Sequence, residues 1–183
     1  MIYTGKGDNG TMTVFGCDQR ISKSSAIAEA LGVLDEINSF LGLCKVNEKA
    51  VGSKLSNASF SEIINQVQQN LFIIQAEVAG AGKSIESGKI KKIEKMIDMI
   101  ENELPSIKTF FISGGTELSA LFDIARTIAR RAERRLVEVS EESKVKVGAD
   151  SLAYLNRLSS LLYALARLTN HRSGINEESP KYR

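Results

Sequence analysis

The sequence predicts an all-α protein: an up-and-down bundle of five helices behind an irregular N-terminal loop. Three observations carry that expectation. Apolar residues recur at helical spacing through five separate segments. Only two prolines, Pro105 and Pro180, interrupt 183 residues. The connections between the periodic segments are short or moderate, which favours antiparallel neighbours. A chain of this length, read as one domain over 1–183, is long enough to bury a real core.

Residues 1–23 are rich in Gly, Thr, Asp and Asn, with Gly5, Gly7, Gly10 and Gly16 close together, and read as loop and turn. A first helix follows over 24–46, its stripe formed by Ile27, Leu31, Leu34, Ile37, Leu41 and Leu43. A second runs over 61–83 on Ile64, Val67, Leu71, Ile74 and Val78. Ser84 is positioned to cap a third over 84–104, with Ile90, Ile93, Ile97 and Ile100 inward, and Pro105 stops it. A connector over 105–115 ends in Ser-Gly-Gly. The fourth helix spans 116–139, a charged break covers 141–148, and the fifth helix spans 149–169. The tail, 173–183, is polar and reads as mobile until something binds it. The pattern is that of the four-helix-bundle (ferritin-like) type, with no internal repeat or second domain.

Composition removes several classes of function. The net charge is only +2, so no bulk attraction to nucleic acid or membrane is expected. No apolar run approaches the length of a membrane span, and the start MIYTGKGDNG has no signal-peptide core. Cys17 and Cys44 are too few and too far apart for a disulfide framework or zinc site, which points to a reducing cytoplasm. The single histidine, His171, argues against a His-rich metal site or a Ser-His-Asp triad. Chemistry must run on positioning and electrostatics or be supplied by a bound group.

The fourth helix concentrates charge. Arg126, Arg130, Arg131, Arg134 and Arg135 fall within ten residues, and Arg126, Arg130 and Arg134 follow at i, i+4 and i+8 on one face. Like charges at that spacing repel by a few tenths of a kcal/mol per pair. The row is either a solvated face paired to acids of other helices or a grip for a discrete anion, since guanidinium forks suit carboxylate and phosphate. The N-terminal tract Thr4-Gly5-Lys6-Gly7-Asp8-Asn9-Gly10-Thr11-Met12-Thr13 has the parts of a phosphate cradle. Glycines admit backbone N–H groups, Lys6 brings charge, threonines bring hydroxyls, and Asp8 is able to hold Mg²⁺ through water. It is not a Walker A loop, and a plain flexible terminus is the competing reading.

Taken together, these segments resemble the PduO-type ATP:cob(I)alamin adenosyltransferase family. The resemblance begins with Tyr3-Thr4 and Gly7-Asp8-x-Gly10, near the family's Y-T-x-x-G-D-x-G, and continues through Arg20-Ile-Ser-Lys23. It runs on through Glu29-Ala-Leu-Gly-Val-Leu-Asp35-Glu36-Ile-Asn38-Ser39 and Gly114-Gly115-Thr116. It then takes in Ala125-Arg126-Thr-x-x-Arg130-Arg131-Ala132-Glu133-Arg134 and ends at Tyr154-Leu155-Asn156-Arg157-Leu158-Ser159. The resemblance implies transfer of the 5′-deoxyadenosyl group of ATP to cob(I)alamin, with Mg²⁺, in a cytoplasmic homotrimer whose sites lie between subunits. A reductase and an adenosylcobalamin-dependent mutase are the implied partners.

Residue by residue, it implies that Thr4, Gly5, Lys6, Gly7, Met12 and Thr13 form the ATP loop and that Lys23 meets the triphosphate. Arg130, Arg131, Glu133 and Arg134 grip ATP from the helix, and Asn156 completes the pocket. Arg126 pairs with Asp35 across the subunit interface, and Phe110 is the aromatic that displaces the lower ligand of cobalt. Glu133 has two readings, orienting the arginines or meeting the ribose. Asp35 and Glu36 are both candidates to meet Arg126, Asn156 is read as a buried amide that needs partners, and Tyr163 shares its face. Ser113 stands where the family usually has Pro and leaves the connector freer, so Phe111 competes with Phe110. Ser160 stands where the family often has Asp, and Leu31 where Tyr or Val is common. The competing functions are a non-catalytic ATP-binding or adenosylcobalamin-delivery bundle and a helical RNA-binding module. Near-neutral charge and the absence of Trp disfavour the last.

Overall fold

The computed structural model describes residues 2–14, 20–48, 54–142 and 145–182. Gly16 and Cys17, named above, and the last residue of the 173–183 tail lie outside them. Five helices form: α1 (Ala26–Val46), α2 (Phe60–Val78), α3 (Ser87–Glu103), α4 (Glu117–Glu142) and α5 (Ala149–Arg172). Two short antiparallel ribbons were not expected: Thr11–Thr13 with Arg20–Ser22, and Lys54–Leu55 with Ala58–Ser59.

Side-chain pairs fix the helix directions. Glu29 and Glu36 of α1 meet Arg135 and Arg131 of α4, so those helices are antiparallel. Lys45 and the Asn38 carbonyl meet Asn65 and Gln68 of α2, again antiparallel. The α4–α5 pair is joined by Glu133 to Asn156. In contrast, α3 runs parallel to α5, with Arg157 on Glu94 and Arg172 on Glu103. The chain alternates direction at every connection, as the sequence predicts.

Local chemistry sets the boundaries. Ser25 caps α1 by accepting from the Ala28 N–H, and Ser59 with Glu62 forms a capping box on α2. The second helix ends earlier than expected because Gly80 adopts φ +87. There the Ala81 N–H donates to the Ala76 carbonyl at 2.9 Å and the Gly80 N–H to Glu77 at 2.9 Å, a Schellman closure that turns the chain out of the helix. Ser84 does not cap α3, which begins after Glu86 without a side-chain cap. Thr116 accepts from the Ser119 N–H at 3.1 Å at the start of α4.

The core is the expected stripes with one shift: Cys44 is buried whereas Leu43 is 44% exposed. Phe60 and Phe122 pack edge to face at 6.2 Å. Tyr154 is fully buried and accepts from the Asn70 amide at 2.9 Å. Glu77, also buried, accepts from the Gly148 N–H at 2.8 Å and from Ser151 at the start of α5, where a carboxylate is favoured.

Burial pushes the Tyr154 phenol up to about 12, against the opposing Asn70 hydrogen bond. The unfolded phenol titrates near ~10, so its stabilisation is fully present below about pH 10 and is lost as pH rises toward about 12. The loss is roughly 1 kcal/mol per pH unit in that window. Burial also raises the Cys44 thiol to about 12, an effect that a Tyr154 substitution leaves in place. Urea titrations of Tyr154→Phe should therefore lose less stability above about pH 10 than the parent. Equal slopes would contradict the assignment.

Candidate active site

The arginine row divides as helical geometry dictates. Arg130 and Arg134 are exposed on the face that turns toward α5. Arg131, one residue or about 100° further round, turns to α1 and pairs with Glu36. Arg135 pairs with Glu138 at 2.6 Å and with Glu29 at 3.7 Å. Two of the five arginines thus follow the structural reading and join helices; Arg131 does not line the cleft assigned to it. Arg126 lies 3.9 Å from Asp123 and stands 5.8 Å over the Tyr163 ring. Its Nε is buried with no hydrogen-bond partner among the described residues. Asp35 is exposed on α1, and Glu36 is taken by Arg131, so neither meets Arg126 within one chain.

Two adjoining hollows open on the α4–α5 face. The larger, about 750 Å³, is lined by Phe110, Phe111, Arg126, Arg130, Tyr163 and Tyr182 among others. The smaller, about 330 Å³, is lined by Arg130, Glu133, Arg134, Val137 and Asn156. Arg130 is a wall of both. Desolvation raises the Tyr163 phenol, with Arg167 opposing, so it stays protonated at neutral pH and is able to donate into the larger hollow. Glu133 accepts from Asn156 Nδ2 at 2.9 Å, and this amide is exposed on the flank of α5 rather than buried as expected. The Leu155 and Leu158 stripe faces the core and leaves position 156 outside it.

The connector separates its two phenylalanines. Phe111 lies beneath Arg167, 4.9 Å from guanidinium carbon to ring centroid. Phe110 is 77% exposed on the cavity wall. Arg167, itself 5% exposed, also pairs with Glu177 at 2.9 Å and donates to the Pro105 carbonyl at 3.3 Å. The Ile112 N–H donates to the Glu178 carbonyl at 2.8 Å. The C-terminal segment is therefore docked on the connector and brings Tyr182 to the cavity, where composition suggests a mobile tail.

Sequence reasoning missed Arg167, Asp123 and Asn170, which hold this region. Asp123 accepts from the Gly114 N–H at 3.1 Å. Asn170 accepts from the Thr116 N–H at 3.1 Å and donates to the Gly114 carbonyl at 2.8 Å. The one available signal was polar residues at core positions of otherwise apolar faces. Gly115 has φ +111, and a Cβ there would lie 2.3 Å from Asn170 Oδ1. Gly115→Ala should destabilise the fold by at least about 2 kcal/mol, from backbone strain and lost Asn170 contacts. A thermal melt checks it, with a shift of roughly 4–8 °C expected.

The N-terminal loop is ordered by its own contacts. Arg20 donates to Thr11 Oγ1 at 2.7 Å and to the Thr11 carbonyl at 2.8 Å, and also reaches the Lys6 carbonyl. Gly5 and Gly10 sit at φ +66 and +78. The Lys23 ammonium folds over Gly7, where an added Cβ would stand 3.0 Å from Nζ. Two ammonium groups and turned glycine N–H groups make a cationic loop. None of Thr4, Gly5, Lys6, Gly7, Met12, Thr13 or Lys23 lines either hollow of its own chain. Among the described residues no three carboxylate, thiol or imidazole groups converge as a metal site. None of the described helices is long and apolar enough to cross a membrane.

Fold and site together define a helical bundle in which a cationic cleft adjoins an aromatic cavity, with one arginine common to both. The cobalamin adenosyltransferase family profile matches residues 2–169. The corrinoid adenosyltransferase PduO of Citrobacter freundii is 38% identical over 177 residues, covering 93% of this chain and 50% of that protein. The corrinoid adenosyltransferase of Bacillus subtilis (strain 168) is 33% identical over 183 residues, covering 96% and 90%. A single-residue variant of the PduO-type ATP:corrinoid adenosyltransferase from Lactobacillus reuteri, complexed with cobalamin and ATP, has TM-score 0.89 at 28% identity. It covers 99% of this chain and 97% of that one. The chain belongs to the cobalamin adenosyltransferase family. It spans about half the length of its PduO relatives, 50% and 54% of the two proteins.

Proposed function

We propose that the chain transfers the 5′-deoxyadenosyl group of ATP to cob(I)alamin, giving adenosylcobalamin and triphosphate. The observation that carries this reading is Arg130, a wall shared by a cleft suited to polyphosphate and an aromatic cavity suited to a corrinoid face. The chain supplies no nucleophile of its own because cobalt is the nucleophile. Co(I) attacks the ribose 5′-carbon, the cobalt–carbon bond forms, the carbon–oxygen bond breaks, and the electron pair leaves with triphosphate.

Holding carbon over cobalt in line is worth about 7–11 kcal/mol. Arg130 and Arg134, with Lys6, Lys23 and the loop N–H groups, receive the charge that grows on the leaving triphosphate. Asp8 is the loop carboxylate available to a Mg²⁺ ion brought on the phosphates. Phe110, on the cavity wall, takes the lower axial side of cobalt, excludes water and favours four-coordinate Co(II), from which Co(I) is accessible. Glu133, hydrogen-bonded to Asn156, orients the polar edge of the cleft.

The site is shared between subunits of a homotrimer, in a cytoplasmic protein served by a reductase that delivers the electron converting bound Co(II) to Co(I) and by an adenosylcobalamin-dependent mutase that consumes the product. Two features support the sharing. Seven loop residues line no hollow of their own chain. Asp35 is exposed on α1 and meets no arginine of its own chain among the described residues, which leaves it for the exposed part of the Arg126 guanidinium of a second copy. Co-expressing Lys6→Ala and Arg130→Ala chains tests both activity and sharing. Each variant alone should be defective, and random mixing should restore about a quarter of the intact sites if loop and arginines come from different chains. No recovery would place the whole site within one chain.

A further inference from the structure

Asn156 sits at the edge of the arginine cleft between two groups of opposite hydrogen-bonding sense. Its Nδ2 donates to Glu133 Oε1 at 2.9 Å, and its Oδ1 accepts from Arg157 Nη1 at 2.6 Å. A guanidinium only donates and a carboxylate only accepts, so the amide has one workable orientation of two. Adjacent residues on a helix do not face each other. The Arg157–Asn156 contact therefore requires the guanidinium to fold back over its own neighbour. Glu94 of α3 sets that geometry by accepting from Arg157 Nε at 2.9 Å.

Arg157 and Glu94 are 41% and 43% exposed, and an ion pair so wet adds little to stability. What the fork supplies is direction: one edge is held on α3 and the other on the Asn156 carbonyl oxygen. Arg157 does not itself line the cleft.

We propose that Arg157, held by Glu94, is a positioning residue for the nucleotide: it fixes the Asn156 amide with its N–H edge toward the cleft. One N–H is engaged by Glu133, and the other is left for an acceptor of the nucleoside, a ring nitrogen or a ribose oxygen. Helix α3, which touches neither hollow, thereby belongs to the site. The inference rests on reading the Arg130–Arg134 cleft as the nucleotide site.

Calorimetric titration of MgATP into the full chain tests it through a double-mutant cycle. Arg157→Ala should weaken MgATP about tenfold, equal to about 1.4 kcal/mol. In an Asn156→Ala background the same substitution should change affinity less than about twofold. Glu94→Ala, which leaves the Arg157 charge in place, should shift affinity in the same direction, and only when Asn156 is present. An equal loss in both backgrounds, or none in the parent, overturns the positioning role. If Asn156→Ala and Arg134→Ala both leave MgATP affinity unchanged, the nucleotide reading of the cleft fails as well.

Discussion

Arg130→Ala is expected to lower kcat by about 10²–10³-fold, a loss of roughly 3–4 kcal/mol of transition-state stabilisation. The size follows from where the guanidinium stands. It is exposed between the cationic cleft and the aromatic cavity and has no carboxylate partner among the described residues. Its charge is unspent until phosphate arrives, and more charge reaches the leaving oxygen in the transition state than in bound ATP. The loss should therefore appear mainly in kcat. A rise in KM with unchanged kcat would mean that Arg130 binds ground and transition states alike. Arg130→Lys should recover only part of the rate, since a point charge does not reproduce a two-pronged grip. Arg131→Ala should cost far less, because that side chain is already committed to Glu36.

Phe110→Ala is expected to leave MgATP affinity intact while reducing four-coordinate Co(II) and the rate of adenosylation by at least about tenfold, or ~1.4 kcal/mol. Electron paramagnetic resonance of the Co(II) form with MgATP reads the first effect directly. Phe111→Ala should act differently. It removes the ring beneath Arg167, a contact worth about 0.5–2 kcal/mol, and loosens the connector and the segment docked on it. If Phe111→Ala abolishes the four-coordinate signal and Phe110→Ala spares it, the roles of the two rings are reversed.

Much of this architecture is legible in the sequence because it is periodic. The α4 stripe from Leu118 to Leu136 and the α2 stripe from Ile64 to Val78 face the core with little revision. Arg126, Arg130 and Arg134 share a face because four residues overshoot a full turn by only about 40°. The same rule, applied to Arg131 and Arg135, explains why they serve α1 instead.

Legibility ends where a residue's role depends on a partner distant in sequence. Nothing near Arg167 announces Glu177 or the Pro105 carbonyl, and nothing near Asn170 announces Gly114. Polar composition made the C-terminal segment look mobile, whereas its anchor is one buried arginine on an apolar helix. The short ribbon of Thr11–Thr13 with Arg20–Ser22 escaped because three-residue strands leave no alternation to count. The resemblance supplied the roles of the loop and arginines, and the geometry adds the division of labour among them.

The measurement that tests the central claim most directly is anaerobic absorbance of chemically reduced cobalamin with MgATP and the purified chain. The account predicts protein-dependent loss of the Co(I) band and growth of the adenosylcobalamin spectrum, with one triphosphate released per cobalt–carbon bond formed. MgATP binding with no cobalt–carbon bond formed would contradict it and leave a nucleotide-binding or delivery bundle in its place.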